Sequence, residues 1–398
     1  MRNFFYKSMK CLTAIYTAAV LLLAVELIIS EVPDNIYVRS GEEAEIHVDF
    51  PFSITDIETE SYEKEKKLCS MFGIIPVKEI TVNEVEEQEV YVSGEIVGIY
   101  TKCDGVFVID TCQIETENGI MVDPSGGQIK TGDYILSING RALGCKEDMA
   151  QMIKESDGSS MRFVVSRNKV PIELYVTPVK AKNNNYMLGI WIKDDLAGVG
   201  TLTYVTMDGK YGALGHGMSN GENVDLLRVD GGDLYGSKVI GIEKGKKGDP
   251  GELKGVINYS SGFHMGKVIQ NESTGIFGKL DKEDLQIYAT EGERYPVGYK
   301  QEIKAGPATI ISEISGERKS YDIYISYVDY LAINSNKGLH IQVTDPELLS
   351  LTGGIVQGMS GSPILQDDKV VGAVTHVLIN DPTRGYGIFI ENMLDVTP

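Results

Sequence analysis

Hydrophobic positions along the chain fall into three regimes. From residue 11 to residue 29 nearly every position is apolar, with Arg2, Lys7 and Lys10 before it and Glu26 near its far end. A run of that length spans a bilayer as a helix, and the basic flank keeps the short N-terminal side in the cytoplasm. No A-x-A cleavage site follows, so the run is read as an uncleaved or slowly processed signal anchor, residues 1–30. Residues 31–89 are acidic, with dense charge between Asp56 and Lys67. This stretch predicts a solvated stalk with at most a short helix, open to proteolytic cutting.

From residue 90 the pattern changes to short β-rich runs between glycine and charged turns. Strands are predicted at 90–92, 96–100, 106–109, 134–138, 161–166 and 171–177, with a helix over 146–155 carrying Met149, Met152 and Ile153. A second β-rich region begins near Met187. Its first pair, 200–207 and 211–214, closes at Asp208-Gly209 as a hairpin. Further strands are predicted at 238–242, 255–259, 267–269, 285–289, 308–311, 322–328, 339–343 and 369–377. Many short strands at near-regular spacing predict an antiparallel barrel or a pair of barrels.

The run Gly132-Asp133-Tyr134-Ile135-Leu136-Ser137-Ile138-Asn139-Gly140 resembles the most recognisable signature of PDZ domains. The resemblance covers residues 90–180. It implies that the backbone of Val97, Gly98 and Ile99 receives a peptide as an added strand. The usual G-L-G-F loop is missing, so the ligand could equally be an internal strand or another part of the same chain.

Composition narrows the function. The 398 residues carry 57 acidic and 37 basic side chains, a formal charge of −20, which argues against a nucleic-acid partner. Of that charge −12 sits in residues 31–100. Five cysteines form no C-x-x-C, and their odd number argues against a complete disulfide framework, though one bridge among Cys103, Cys112 and Cys145 stays open. Neither H-E-x-x-H nor a P-loop occurs, so no metal and no cofactor is expected.

The most informative motif is Gly358-Met359-Ser360-Gly361-Ser362-Pro363, which resembles the nucleophile loop of chymotrypsin-like proteases. The glycines permit a tight turn that exposes the Ser360 hydroxyl and aims the N–H groups of Gly358 and Ser360 at one point, an oxyanion hole. Of the five histidines, His216 stands between two glycines at the end of the 200–214 hairpin, where a general base belongs. His376, in the strand after the serine, is its rival. The acid is open among Asp225, Asp230, Asp233, Asp249, Asp329 and Asp345. Asp345-Pro346-Glu347 also reads as a helix N-cap with proline at the first helical position.

The whole constellation resembles the stage IV sporulation protein B peptidases, the S55 serine peptidases of endospore-forming bacteria. The residues that carry it are G-H-G at 215–217, V-T-D-P-E at 343–347, G-I-V-Q-G-M-S-G-S-P at 354–363, G-A-V-T-H-V at 372–377 and N-D-P-T-x-G-Y-G at 380–387. The resemblance implies a mainly β fold: the anchor, the PDZ domain, then a chymotrypsin-like double β-barrel over 187–398. It implies His216, Asp345 and Ser360 as catalytic residues. It also implies export into the space between forespore and mother-cell membranes and self-cleavage in the N-terminal region. The family's substrate is a regulator in an intramembrane protease complex, whose cutting activates the late mother-cell sigma factor. Two rival functions stand beside it. One is an HtrA-like quality-control protease, disfavoured because here the PDZ domain comes first. The other is a non-catalytic membrane-tethered PDZ adaptor.

Overall fold

A computed structural model describes residues 16, 32, 35–39, 48, 50–57, 65–219, 226, 228–330, 332 and 336–398. Apart from Tyr16, the apolar run of residues 11–29 lies outside the described residues. Among the described residues no helix is long and apolar enough to cross a membrane.

The segment expected to be a stalk holds a four-stranded sheet, ordered Asn35–Arg39, Ile75–Val85, Lys66–Met71, Phe52–Ile57. Ile36, Val38, Cys69, Ile80 and Val82 form its core. The charge that suggested solvated chain alternates with apolar positions, so the period of two is present but diluted by lysine and glutamate. The sheet rests against the rest of the molecule. Arg39 donates to the Val297 carbonyl at 3.0 Å, Gln301 donates to the Tyr37 carbonyl, and the Tyr37 and Tyr299 rings lie 6.2 Å apart. Burial and the nearby Asp395 carboxylate push the Tyr37 hydroxyl up to about 12.

Two six-stranded barrels follow. The first closes through Ile96–Thr111, Val229–Glu243, His264–Glu272, Gly275–Leu280, Lys210–Ala213 and Ile190–Val205. The second closes through Gly306–Ser312, Lys319–Val328, Leu339–Val343, Asp381–Phe389, Lys369–Leu378 and Pro363–Gln366. All these pairings are antiparallel, and two such barrels fit a double-barrel protease.

The expected boundary between residues 90–180 and 187–398 is displaced. Ile96–Thr111 and Ile190–Val205 are each 16 residues long and pair from Ile96↔Thr201 to Thr111↔Ile190. At about 3.3 Å per residue they reach well beyond one barrel. Their near halves are barrel strands, and their far halves continue into a module with Tyr134–Ile138, Met161–Arg167, Val170–Val176 and the helix Lys146–Glu155. That module has its own core around Met149, Phe163, Ile135 and Val165. It is an insertion between two neighbouring strands of the first barrel, which a reading along the chain places in front of it.

One predicted strand is a helix. Residues 285–289 lie inside Lys282–Glu291, with Asp281 at its N-cap position and Glu283 and Asp284 in its first turn. Acidic side chains there complement the helix dipole, a stronger signal than the short L-Q-I-Y-A alternation.

Because Lys102 and Asp195 are register partners, a tight turn joining them in place of residues 103–194 should leave the first barrel closed. The expected result is a cooperative thermal transition with a strand-type circular dichroism spectrum. A chain without cooperative melting would mean that the insertion is needed to fold the barrel.

Candidate active site

The loop Gly358–Pro363, expected to carry the nucleophile, is built between the two barrels. It follows a short helix, Pro346–Thr352, stopped by Gly353 in the left-handed conformation. Met359 points into the second barrel's core and is fully buried. The loop folds on itself through Ser362 N–H to Met359 O at 3.0 Å and is tied to its own barrel through Gly361 N–H to Val374 O at 2.7 Å. Its carbonyls are taken by the first barrel. Thr201 Oγ1 donates to Gly358 O at 2.9 Å, the Thr201 N–H to Ser360 O at 2.9 Å, and Thr203 Oγ1 to Gly361 O at 2.7 Å. Only glycine fits at 361: its φ is +95°, and a Cβ there would stand 2.1 Å from the Thr201 carbonyl oxygen.

With the carbonyls occupied, the N–H groups of Gly358 and Ser360 donate to no acceptor among the described residues. Two uncommitted donors beside an exposed-side hydroxyl are what a developing oxyanion requires. The Ser360 hydroxyl itself donates to the Thr375 carbonyl at 2.8 Å.

His216 reaches the same place from the first barrel. The hairpin strand Lys210–Ala213 ends in Leu214 and Gly215, both with φ +69°. Gly215 passes close to the second barrel, where a Cβ would meet Thr375 Cγ2 at 2.9 Å. The next residue, His216, has its ring centroid 5.2 Å from that of His376, the residue after Thr375. Ser360 and His216 are therefore gathered on the stretch Thr375-His376.

His216 Nδ1 lies 3.0 Å from the Gly217 carbonyl oxygen. As a donor Nδ1–H, it fixes the tautomer that leaves Nε2 free to take a proton. Burial lowers the His216 pKa, partly offset by the Gly217 hydrogen bond. His376 is lowered to about 4 by burial, by His216 whenever that ring is protonated, and by the Lys337 charge, and its buried Nδ1 has no hydrogen-bond partner. Both rings are thus neutral at ordinary pH.

Asp345 is placed elsewhere. Its carboxylate caps the helix, accepting from Leu348 N–H at 2.9 Å and from Asp322 N–H at 3.3 Å. The register His376↔Tyr386↔His340 puts the site beside the start of Leu339–Val343. Asp345 lies five residues further on, on the order of 15 Å along the strand direction. No hydrogen bond joins it to His216.

Several of the other candidates have other partners. His264 sits between Asp233 at 3.0 Å and Asp281 at 2.7 Å, which together raise its pKa against the effect of burial. His340 packs edge-on to Tyr327 and Tyr386, and Asp249 pairs with Lys246. His47 and Asp225 lie outside the described residues. Cys103, Cys112 and Cys145 are free thiols. Among the described residues one group could hold a metal ion, Cys145, Glu147 and Asp194. Both Asp194 oxygens there are already engaged by Lys146.

The peptide-receiving role expected of Val97, Gly98 and Ile99 is corrected by the pairing. These residues hydrogen-bond to Gly198–Gly200 on one side and to Leu234–Gly236 on the other. A strand paired on both edges has no N–H or C=O row to offer a peptide. Among the described residues, an edge of this module that stays free is that of Ile190–Lys193, paired only with residues 107–111 and flanked by the helix Lys146–Glu155. The tetrapeptide Met187-Leu188-Gly189-Ile190 leads into it, with Gly189 at φ +69°. An apolar-glycine-apolar step before a β run was the signal for it.

Two substitutions test this construction. Asp345→Ala should cost about 1 kcal/mol (0.5–2) of stability in chemical denaturation, whereas Asp345→Asn, which caps as well, should cost almost nothing. Thr203→Val removes the hydroxyl that holds Gly361 O, and should cost about 1 kcal/mol or slightly more. It should also slow any Ser360-dependent cleavage.

Comparison with known proteins gives the family. The model of the family described as SpoIVB peptidase S55 matches residues 184–394, just over half of the chain. Among solved structures, the PDZ domain of an SdrC-like protein from Listeria monocytogenes matches at 18% identity with a TM-score of 0.19, covering 22% of this chain and 87% of that one. No curated protein matches the chain. The matched segment holds the G-M-S-G-S-P loop, the glycine-flanked histidine and the whole second barrel, and the chain belongs to the SpoIVB peptidase S55 family of serine peptidases.

Proposed function

We propose that the chain is a membrane-associated serine endopeptidase in which Ser360 is the nucleophile, His216 the general base, and the Gly358 and Ser360 N–H groups the oxyanion hole. The observation that carries this reading is the convergence of the loop and His216, from different barrels, on Thr375-His376, with two N–H groups left free beside the hydroxyl. A substrate carbonyl takes up those N–H groups. The Ser360 oxygen turns from Thr375 O and attacks, its proton passes to His216 Nε2, and the same proton is returned to the leaving amine. Water then releases the acyl group by the reverse route.

The resemblance gives Asp345 the role of holding the imidazole, and we keep it in the reading as the member that must move into place. In the resting arrangement the Gly217 carbonyl holds Nδ1.

The family resemblance supports self-cleavage in residues 31–89, in cis or in trans. Folded strands are poor substrates, so the cut belongs in a connection, for which exposed Glu86–Gln88 between the sheet and the first barrel is suited. It also supports a protein substrate within an intramembrane protease complex, controlling the late mother-cell sigma factor, and a location between forespore and mother-cell membranes, held by residues 11–29. The inserted module acts in this reading as a PDZ domain, its ligand adding to the edge Ile190–Lys193.

Intact mass of the full chain over time tests the reading. The wild type should lose a discrete N-terminal piece, and Ser360→Ala and His216→Ala should not; equal behaviour of all three would favour the non-catalytic adaptor. Because burial lowers the His216 pKa, the base stays neutral below its ordinary value. The acid limb of kcat/KM should therefore fall below pH 6.5. Asp345→Asn separates the two roles of that residue. A fall of roughly 10⁴ in kcat with unchanged stability is the result expected of a triad acid, and an unchanged rate confines Asp345 to its helix cap.

A further inference from the structure

The N-terminal sheet carries an apolar tip that the peptidase chemistry does not use. Phe52 pairs with Met71 and Met71 with Ile75, so the approach to Phe52–Ile57 and the turn between Lys66–Met71 and Ile75–Val85 share one end of the sheet. Phe50, Phe72, Ile74 and Ile75 are exposed there at 85%, 56%, 83% and 55%. They are held outward rather than collapsed. The Phe72 N–H donates to Pro51 O at 2.6 Å, and the Phe50 and Phe72 rings meet edge-on at 5.6 Å. Four large apolar side chains at one tip mark a contact surface.

The direction of the chain says what that surface meets. Asn35–Arg39 runs parallel to residues 81–85, so the chain enters this strand from the tip's end of the sheet. Lys78 Nζ donates to the Val32 carbonyl at 2.9 Å, which sets Val32 beside a residue only three positions from Ile75. Three residues before Val32 is Ile29, the last of the apolar run. The described chain therefore comes to the sheet from the side of the tip.

We propose that Phe50, Phe72, Ile74 and Ile75 enter the interfacial layer of the same bilayer that residues 11–29 occupy, as a second membrane contact. This rests on the anchor in the proposed function. Aromatic and branched aliphatic side chains without charge among them suit the boundary between headgroups and acyl chains. A single helix leaves a tethered domain free to swing. A second contact at the sheet fixes its tilt, and through Arg39, Tyr37 and Gln301 that constraint reaches the peptidase.

The test uses the full chain reconstituted in phosphatidylcholine vesicles with brominated acyl chains, which quench tryptophan on contact. Trp191, the natural tryptophan, is exposed on the inserted module and should not be quenched. In a Trp191→Phe background, Ile74→Trp should be quenched and blue-shifted, as should Leu21→Trp within the apolar run. Phe72→Trp repeats the measurement should position 74 disturb the turn. Quenching at 21 with none at 74 and 72 overturns the proposal and leaves the anchor standing. No quenching at any of the three overturns the anchor and the proposal with it. A blue shift at 74 without quenching by bromine means that the tip packs on protein, and also overturns it.

Discussion

The candidate active site depends on a set of hydrogen bonds that cross between the barrels. Three carbonyls of the nucleophile loop, those of Gly358, Ser360 and Gly361, are taken by Thr201 and Thr203 of the first barrel. A loop of five residues, 358–362, with two glycines has many conformations of similar energy. Satisfying its acceptors from outside selects the one in which the donors face open space. The same bonds set the distance between the barrels, because the Gly361 Cα lies against the Thr201 carbonyl with no room for a side chain. The pair of threonines therefore does for the site what a shared core does for a single barrel.

Thr201 and Thr203 stand on the strand Ile190–Val205, whose far end is the free edge of the inserted module. One continuous strand thus runs from the edge where a ligand strand could add to the residues that hold the nucleophile loop. Its register against Ile96–Thr111 is fixed at eleven positions, with bulges between Trp191 and Ile192 and between Lys193 and Asp195. A slip of one residue would turn every side chain to the opposite face, so the strand transmits position rigidly. Insertion at this point of the barrel places the module where the chemistry is already anchored.

Much of this was legible in the chain. The G-M-S-G-S-P loop, the 200–214 hairpin, the helix over 146–155 and the Asp345 cap were all readable from local signals, because each is fixed by a turn or a cap that the sequence spells out. Val97, Gly98 and Ile99 were misread for a different reason. Their pattern says only that a strand is there, and which edges are filled depends on residues that are distant in the sequence, Gly198–Gly200 and Leu234–Gly236. The same non-local pairing hid the insertion, since a strand that crosses two units shows no composition break. In the N-terminal sheet the alternation was present but masked by charge. His376, read from the sequence as the rival of His216, is instead the ring that His216 packs against.

The resting hydrogen bonds at the site are compatible with catalysis on energetic grounds. Both groups that the proposed mechanism uses are satisfied by backbone: Ser360 by Thr375 O, His216 by Gly217 O. Turning the Ser360 hydroxyl towards an imidazole gives up one neutral hydrogen bond, about 1 kcal/mol net. That is roughly a fivefold penalty in population, small against the barrier of peptide hydrolysis, and the hydrogen bond to His216 returns most of it. Asp345 is in a different position. Releasing its carboxylate from the helix start costs about 1 kcal/mol, which is also small. The distance is not, because no side-chain rotation covers a gap on the order of 15 Å. Its arrival at His216 requires the end of Leu339–Val343 and the helix behind it to move together. The segment that would have to move leads directly into the nucleophile loop, so any such rearrangement acts on Ser360 as well as on the imidazole.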